Sequence, residues 1–301
     1  MITQISRSHF FYAFSAGLKP AARVKLGDEI IFETHDCFQG QIQSENDLVT
    51  ALDWDRTNPT TGPVYIDGLS PQSVVRLTIL DVQVDDRSVM VTIPGMGPLA
   101  KQITEMETTL LRREGSALVY KESVRIPLAP MIGVIGLAPA HGSIGTGVPG
   151  RHGGNMDCTL IGTGSRLYLT SEVNGGLLGL GDLHAGMGDG EIAGVGAEVA
   201  GLVRLRPDIM QLPGLPTPLV ENDQVIATIY SDPDLDAAAD GATRNMAEFL
   251  TTFAGLTPND AAMLMSAAGS LRICQVVDPA KTVRFEFPKR VLSQIGRQLP
   301  T

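Results

Sequence analysis

Apolar and polar residues alternate in short runs from early in the chain. Glu29-Ile30-Ile31-Phe32-Glu33-Thr34, Ser73 to Val82 and Ser88 to Ile93 all show the pattern, each bounded by Gly, Pro or Asp. A period of two puts every second side chain on one face, so each run predicts a half-buried strand. Ser165 to Val173 and Glu198 to Leu205 read the same way. Helical patterning is sparse. Leu99 to Glu114 lies between Pro98 and Gly115 and is a marginal helix, weakened by the adjacent β-branched Thr108 and Thr109. The clear helices come late. Asp236 to Phe253 is rich in Ala, Met, Leu and Glu, and Thr257-Pro258 supplies a hydroxyl cap and a first-turn proline for a second helix stopping at Ala268-Gly269. A strand over Thr282 to Phe287 is expected to close the regular structure before a polar tail. The expected fold is mainly β with a smaller α/β part: antiparallel sheets closing on each other as a sandwich or barrel, with helices in the C-terminal region. The Pro-rich stretch Leu212 to Pro218 is the natural joint, giving a β-rich core over 1–212 and a smaller α+β region over 213–301.

Composition narrows the function. The 301 residues carry a formal net charge of -10, with 43% hydrophobic and only 19% charged residues, so disorder is excluded and nucleic acid is not an expected partner. No apolar run reaches the roughly 18 residues that span a bilayer, and the first residues lack the basic end and apolar stretch of a signal peptide, so no membrane partner and a cytoplasmic location are expected. Cys37, Cys158 and Cys274 are far apart and show no CxxC spacing, which favours reduced thiols over a disulfide framework.

Residues able to do chemistry gather in three places. The first is Glu33 to Gln41, at the end of a strand, where an extended chain puts His35 and Cys37 on one face and Asp36 on the other. It reads equally as ligands or a nucleophile with its base, and as a strand end whose histidine bonds to backbone. The second is the Gly-rich run Gly150 to Cys158, which includes Asn155 and Asp157 and follows His141-Gly142-Ser143; its glycines leave amides free to face an anion or a carbonyl oxygen. No phosphate-binding motif is present, and a structural aspartate is the competing reading. The third is Gly179 to Glu191, where Asp182 and His184 are two apart and share a strand face, with Asp189 and Glu191 returning after a turn. Imidazole with carboxylate suits a divalent metal such as zinc, while Asp-Gly pairs are also ordinary turns. The three clusters together hold four of the five histidines.

Thr34 to Ile42, Asn58 to Val64, Gly153 to Asp157, and Gly181 to Ala185 followed by Gly188 to Glu191 together resemble the acetamidase/formamidase family, in order and spacing over nearly the whole chain. The resemblance implies a mostly β fold, self-association as a homodimer or higher oligomer, a divalent metal of zinc type with calcium as the alternative, and hydrolysis of a short aliphatic amide, of formamide or acetamide type, to a carboxylate and ammonia. One departure is Met187, near which the family is associated with a glutamine.

On this footing His35, Asp36, Asp157, Asp182 and His184 are the expected metal ligands. Glu191 is the expected general base and acid, working beside His184, and Gly153, Gly154 and Asn155 are the expected oxyanion holders. Two other readings stay open: a cysteine-dependent amidase using Cys37, and a non-catalytic metal-containing binding protein.

Overall fold

The computed structural model describes residues 1–297. Two large sheets pack against each other. The nine-stranded sheet runs, edge to edge, through Ile2–Ile5, Glu29–Thr34, Gly201–Met210, Val74–Val84, Arg166–Thr170, Leu219–Glu221, Val225–Asp232, Lys281–Pro288 and Ser270–Gln275. Every pairing in it is antiparallel except that of the first two strands. The second sheet has eleven strands and holds Leu178–His184 and Met131–Gly136 at its centre, paired so that Met131 faces His184 and Val134 faces Gly181. Neither sheet closes into a barrel among the described residues.

The main core lies between the sheets. Phe32, Leu77 and Val203 of the first sheet meet Ile132, Leu180 and Leu183 of the second, all fully buried. Strands with one wet face alternate cleanly, as in Glu29–Thr34 and Gly201–Met210. Met131–Gly136 and Leu178–His184 are buried at every position, so any polar group they carry faces protein or an internal hollow.

A second core forms where α1 (Leu235–Thr252) and α2 (Pro258–Ala268) cover the far end of the nine-stranded sheet, with Phe249, Leu250 and Met265 packed on Val283 and Phe287. Asp234 caps α1 and Thr257 caps α2, each side chain accepting a backbone N–H of the first turn. None of the described helices is long and apolar enough to cross a membrane.

Two expectations need correction. The marginal helix over Leu99 to Glu114 is absent: Glu107–Glu114 is a strand paired with Arg87–Thr92, where Thr108 and Thr109 sit comfortably on a pleated surface. The chain also continues past its last strand into a short helix, α3 (Lys289–Gln294), rather than passing directly into a tail. Leu292 of α3 is buried against the second core, which is what holds it.

Candidate active site

The strand Leu178–His184 delivers Asp182 and His184 to the interior. Asp182 has φ of 54°, a left-handed conformation that a non-glycine residue adopts at a cost of about 1–2 kcal/mol. Asp157, just after the strand Gly153–Asn155, has φ of 44°, and Glu191, in the loop beyond His184, has φ of 48°. Three acidic residues in this region therefore converge with strained backbones, a feature that clusters at functional sites.

The imidazole stands among carboxylates. His184 Nε2 lies 3.1 Å from Glu198 Oε1, 3.7 Å from Asp182 Oδ1 and 3.9 Å from Asp157 Oδ1. Glu198 is placed by direct pairing of its short strand, Glu198–Val199, with His184. Asp157, His184 and Glu191 can bring one ligand atom each within 4.8 Å of one another, and so can Cys37, Asp182 and Glu198. A further carboxylate, Asp278, enters from the turn between the last two strands. Its amide is held by Gln275 Oε1, and its side chain accepts from Asn155 Nδ2 at 2.8 Å.

Burial dominates the electrostatics. It raises the Asp157 and Glu191 carboxyls well above the usual range, helped by the neighbouring acids, and lifts Glu198 and Asp278 to about 7. Burial alone would lower the His184 pKa, yet Glu198 and Asp182 overcome it and hold the ring cationic. Among the described residues His184 is the only cation in ion-pair contact with Asp157, Asp182 and Glu198.

Several atoms here are buried without a hydrogen-bond partner: both carboxylate oxygens of Asp157, both ring nitrogens of His184, Oε2 of Glu198 and Oδ1 of Asn155. Stranding such groups costs several kcal/mol each unless something else meets them. Donors of this kind, mostly carboxylate oxygen with one imidazole and one thiol nearby, fit a divalent cation.

Glycines shape the basin. A β-carbon on Gly133 would lie 2.5 Å from Asp157 Oδ1 and 2.6 Å from Asp182 Oδ2, and one on Gly196 would lie 2.4 Å from His184 Nδ1. The loop around Glu191 is stitched to the C-terminal strands: Gly190 donates to the Cys274 carbonyl at 2.8 Å, and Arg284, nearly fully buried, grips Asp189 with two bonds of 2.7 Å. Asp189 is thereby occupied by Arg284 and the Thr159 hydroxyl.

The structure sorts the expected site residues. Asp157, Asp182, His184 and Glu191 come together. His35 and Asp36 do not join them, because the strand Glu29–Thr34 ends before both. The His35 ring bonds to the Arg7 carbonyl at 3.1 Å and packs edge-on to Phe10, while the Asp36 carboxylate caps its own turn by accepting from the Gly40 amide at 3.0 Å. Gly153 and Gly154, both with positive φ, pack tightly against Ile135 and Val148 carbonyls rather than opening onto the basin. Asn155 does reach the cavity wall. Met187 does not line it.

Two residues were not expected. Glu198 could have been suspected as the one charge flanked by Gly196-Ala197 and Val199-Ala200, since an acid inside an apolar strand needs a partner. Asp278 precedes a proline in what reads as a plain turn, and nothing in its local sequence marks it.

A cavity of about 160 Å³ opens beside the cluster, lined by Asn155, Asp182, Glu191, Glu198 and Asp278 together with Phe38, Ile93 and Val195. A larger cavity of about 400 Å³, lined by Arg151, Tyr230 and Glu248 among others, touches none of the clustered acids.

The chain is similar to proteins already described. It is 42% identical to the structure of an acetamidase from Bacillus halodurans, with a TM-score of 0.96 and coverage of 98% of this chain and 100% of that one. It is 41% identical to a predicted acetamidase/formamidase from Thermoanaerobacter tengcongensis, at a TM-score of 0.96 and 99% coverage of both chains. A curated formamidase from Methylophilus methylotrophus is 28% identical over 253 residues, which span 63% of this chain and 61% of that longer protein. The profile of the acetamidase/formamidase family matches residues 7–147 and 143–294. With nearly the whole described chain accounted for by that match, the protein belongs to the acetamidase/formamidase family.

Proposed function

We propose that the protein hydrolyses short primary carboxamides to a carboxylate and ammonia with the help of a divalent cation, for which the mixed oxygen and nitrogen donor set favours zinc. The observation that supports this reading most is the group of unpartnered, buried ligand atoms on Asp157, His184 and Glu198. Asp157, Asp182 and His184 would hold the ion, the His184 ring giving up the extra proton it carries in the metal-free protein. Such an ion supplies a Lewis acid for the amide carbonyl and acidifies a water.

The chain's own residues provide the rest. Glu191 lines the cavity and carries a carboxyl whose proton affinity is raised by burial, as suits a group that takes a proton from the attacking water and passes it to departing ammonia. Asn155 donates its amide to Asp278, which leaves Oδ1 as a buried acceptor without a partner. An acceptor does not stabilise an oxyanion; it suits the N–H of a primary amide, so substrate orientation replaces the oxyanion role expected from sequence.

The thiol route has less support. Burial, then Glu198 and Asp182, raise the Cys37 pKa well above its usual value, which disfavours the thiolate that attack requires. Protein prepared without added metal should carry close to one equivalent or more of a divalent ion by elemental analysis. Stripping it with a chelator should abolish ammonia release from acetamide, zinc should restore it, and iodoacetamide should leave it intact. Inactivation by iodoacetamide with indifference to the chelator would transfer the chemistry to Cys37.

A further inference from the structure

The larger cavity has a chemistry of its own. At about 400 Å³ it falls within the roughly 300–1,000 Å³ of small-molecule pockets, and it brings two opposite charges to one hollow, the Arg151 guanidinium and the Glu248 carboxylate. Among the described residues neither of them enters an ion pair.

Both charges stand on well-tied backbone. Gly150 and Gly153 exchange two backbone hydrogen bonds, of 2.8 and 3.0 Å, so Arg151 sits at the tip of a closed turn while the adjacent His152 is buried. Glu248 belongs to α1, where Gly241, Asn245 and Glu248 follow one another at spacings of four and three residues and share a helix face. Gly241 leaves no room for a β-carbon because the Tyr230 ring packs against it, which fixes that ring in the cavity wall. Asn245, one turn further along, adds a carboxamide to the lining.

Apolar surface backs the charges. Val74, Leu215 and Ile229 line the cavity and are buried, Val74 and Leu215 in the second core and Ile229 in the main one. The Thr170 and Thr217 hydroxyls, also in the lining, bond to each other at 2.7 Å and so leave the charged ends of an occupant to Arg151 and Glu248. A dry cavity of about 150 Å³ holds benzene, about six non-hydrogen atoms, so 400 Å³ takes roughly sixteen.

We infer that this cavity binds a zwitterionic amino acid with an apolar side chain, its carboxylate on Arg151, its ammonium on Glu248 and its side chain against Val74, Leu215 and Ile229. A guanidinium takes a carboxylate through two parallel bonds, and a carboxylate takes an ammonium through another charge-assisted one. One ligand carrying both groups meets both charges, whereas an anion or an amine alone leaves one of them unmet. L-Leucine and L-phenylalanine, with about nine and twelve non-hydrogen atoms, fit the volume with water left at the mouth. The site is separate from the acid cluster and does not depend on the hydrolytic reading above.

The experiment is isothermal titration calorimetry of the full chain with L-leucine and L-phenylalanine, and with 4-methylpentanoate and isoamylamine, which are leucine without its ammonium and without its carboxylate. Both amino acids should bind saturably, and each truncated analogue about tenfold or more weakly. Arg151→Gln and Glu248→Gln, both at exposed positions, should each weaken leucine by about the same factor while leaving ammonia release from acetamide as in the wild type. Glu248→Gln should not weaken 4-methylpentanoate further, nor Arg151→Gln isoamylamine, a pairing that a general disturbance of the cavity does not produce. Absence of saturable binding, analogues that bind as tightly as leucine, or variants that bind leucine like the wild type overturn the assignment. Each of these results leaves the hydrolytic reading standing, and a failure to release ammonia from acetamide leaves this one.

Discussion

Gly133 lies directly under Asp157. The strand Met131–Gly136 has no side chain at this position, and the space a methyl would take is filled by Asp157 Oδ1, 2.5 Å from where the β-carbon would be. Asp182, on the neighbouring strand, fills the other side at 2.6 Å and comes within 2.9 Å through its backbone oxygen as well. Gly133→Ala should therefore push both carboxylates from their places. We expect a loss of about 1–3 kcal/mol in stability from overpacking, together with a loss of about 10- to 100-fold in metal affinity and in kcat/KM. Unchanged metal content in a folded G133A protein would show that the carboxylates do not need this gap.

Stability of the metal-free protein should depend on pH in a defined direction. Glu198 is lifted to about 7 when folded from an ordinary value of 4.5, and Asp157, Glu191 and His184 are also raised. Between the two values the folded state keeps protons that the unfolded chain has released, so this stabilisation is full below about pH 4.5 and fades as pH rises toward 7 and beyond. Chelator-treated protein should show a falling Tm from pH 5 to pH 8, and saturating zinc should raise the upper end most. A Tm that is flat over this range without metal would contradict the proton affinities of the cluster.

Asp157→Asn keeps the shape of the side chain and removes its charge. It should cost about 100-fold or more in kcat/KM and lower metal occupancy, with the Tm of the stripped protein unchanged or higher because a buried repulsion is gone. Elemental analysis alongside the thermal melt separates these effects.

Most of the sheet was legible in the chain because strands with one wet face have a period of two: Glu29–Thr34 was bounded to the residue, and Val74–Val84 nearly so. The segments that build the site were harder to read for the opposite reason. Met131–Gly136 is apolar or glycine throughout, so it has no alternation to detect, and it supplies Gly133. His35 and Asp36 share a short motif with Cys37, which does reach the cavity wall, and sequence proximity alone does not separate the three. Asp278 was invisible because its role depends on a turn of the last two strands meeting Asn155, more than a hundred residues earlier in the chain.

A structural ion pair offers the opposite pH signature. Burial raises the Glu221 carboxyl, but bonds from Lys289 and the Tyr168 hydroxyl outweigh it and hold its pKa below the ordinary value of 4.5. Its contribution is complete above about pH 4.5 and is lost as pH falls through the lower, folded value. Glu221→Gln should flatten the acid limb of the stability curve while leaving amide hydrolysis at pH 7 unchanged. An identical acid limb in the variant would remove Glu221 from the account.

Arg284→Met should test the clamp on Asp189. The guanidinium is 3% exposed and the carboxylate 32%, so the freed carboxylate can turn to water, and we expect a loss of about 2 kcal/mol, less than for a fully enclosed pair. Because the clamped loop carries Glu191, kcat should fall further than stability accounts for. A drop in Tm with kcat preserved would confine Arg284 to scaffolding.

The stitching of the Glu191 loop to the C-terminal strands has a consequence for the chain as it is made. The clustered acids from Asp157 to Glu198 leave the ribosome before Asp278 and Arg284, and until those arrive Asn155 lacks its partner and the Asp189 loop lacks its brace. The cluster is thus completed late, and a nascent chain stalled within its helices carries Asp157, Asp182, Glu191 and Glu198 but neither Asp278 nor Arg284.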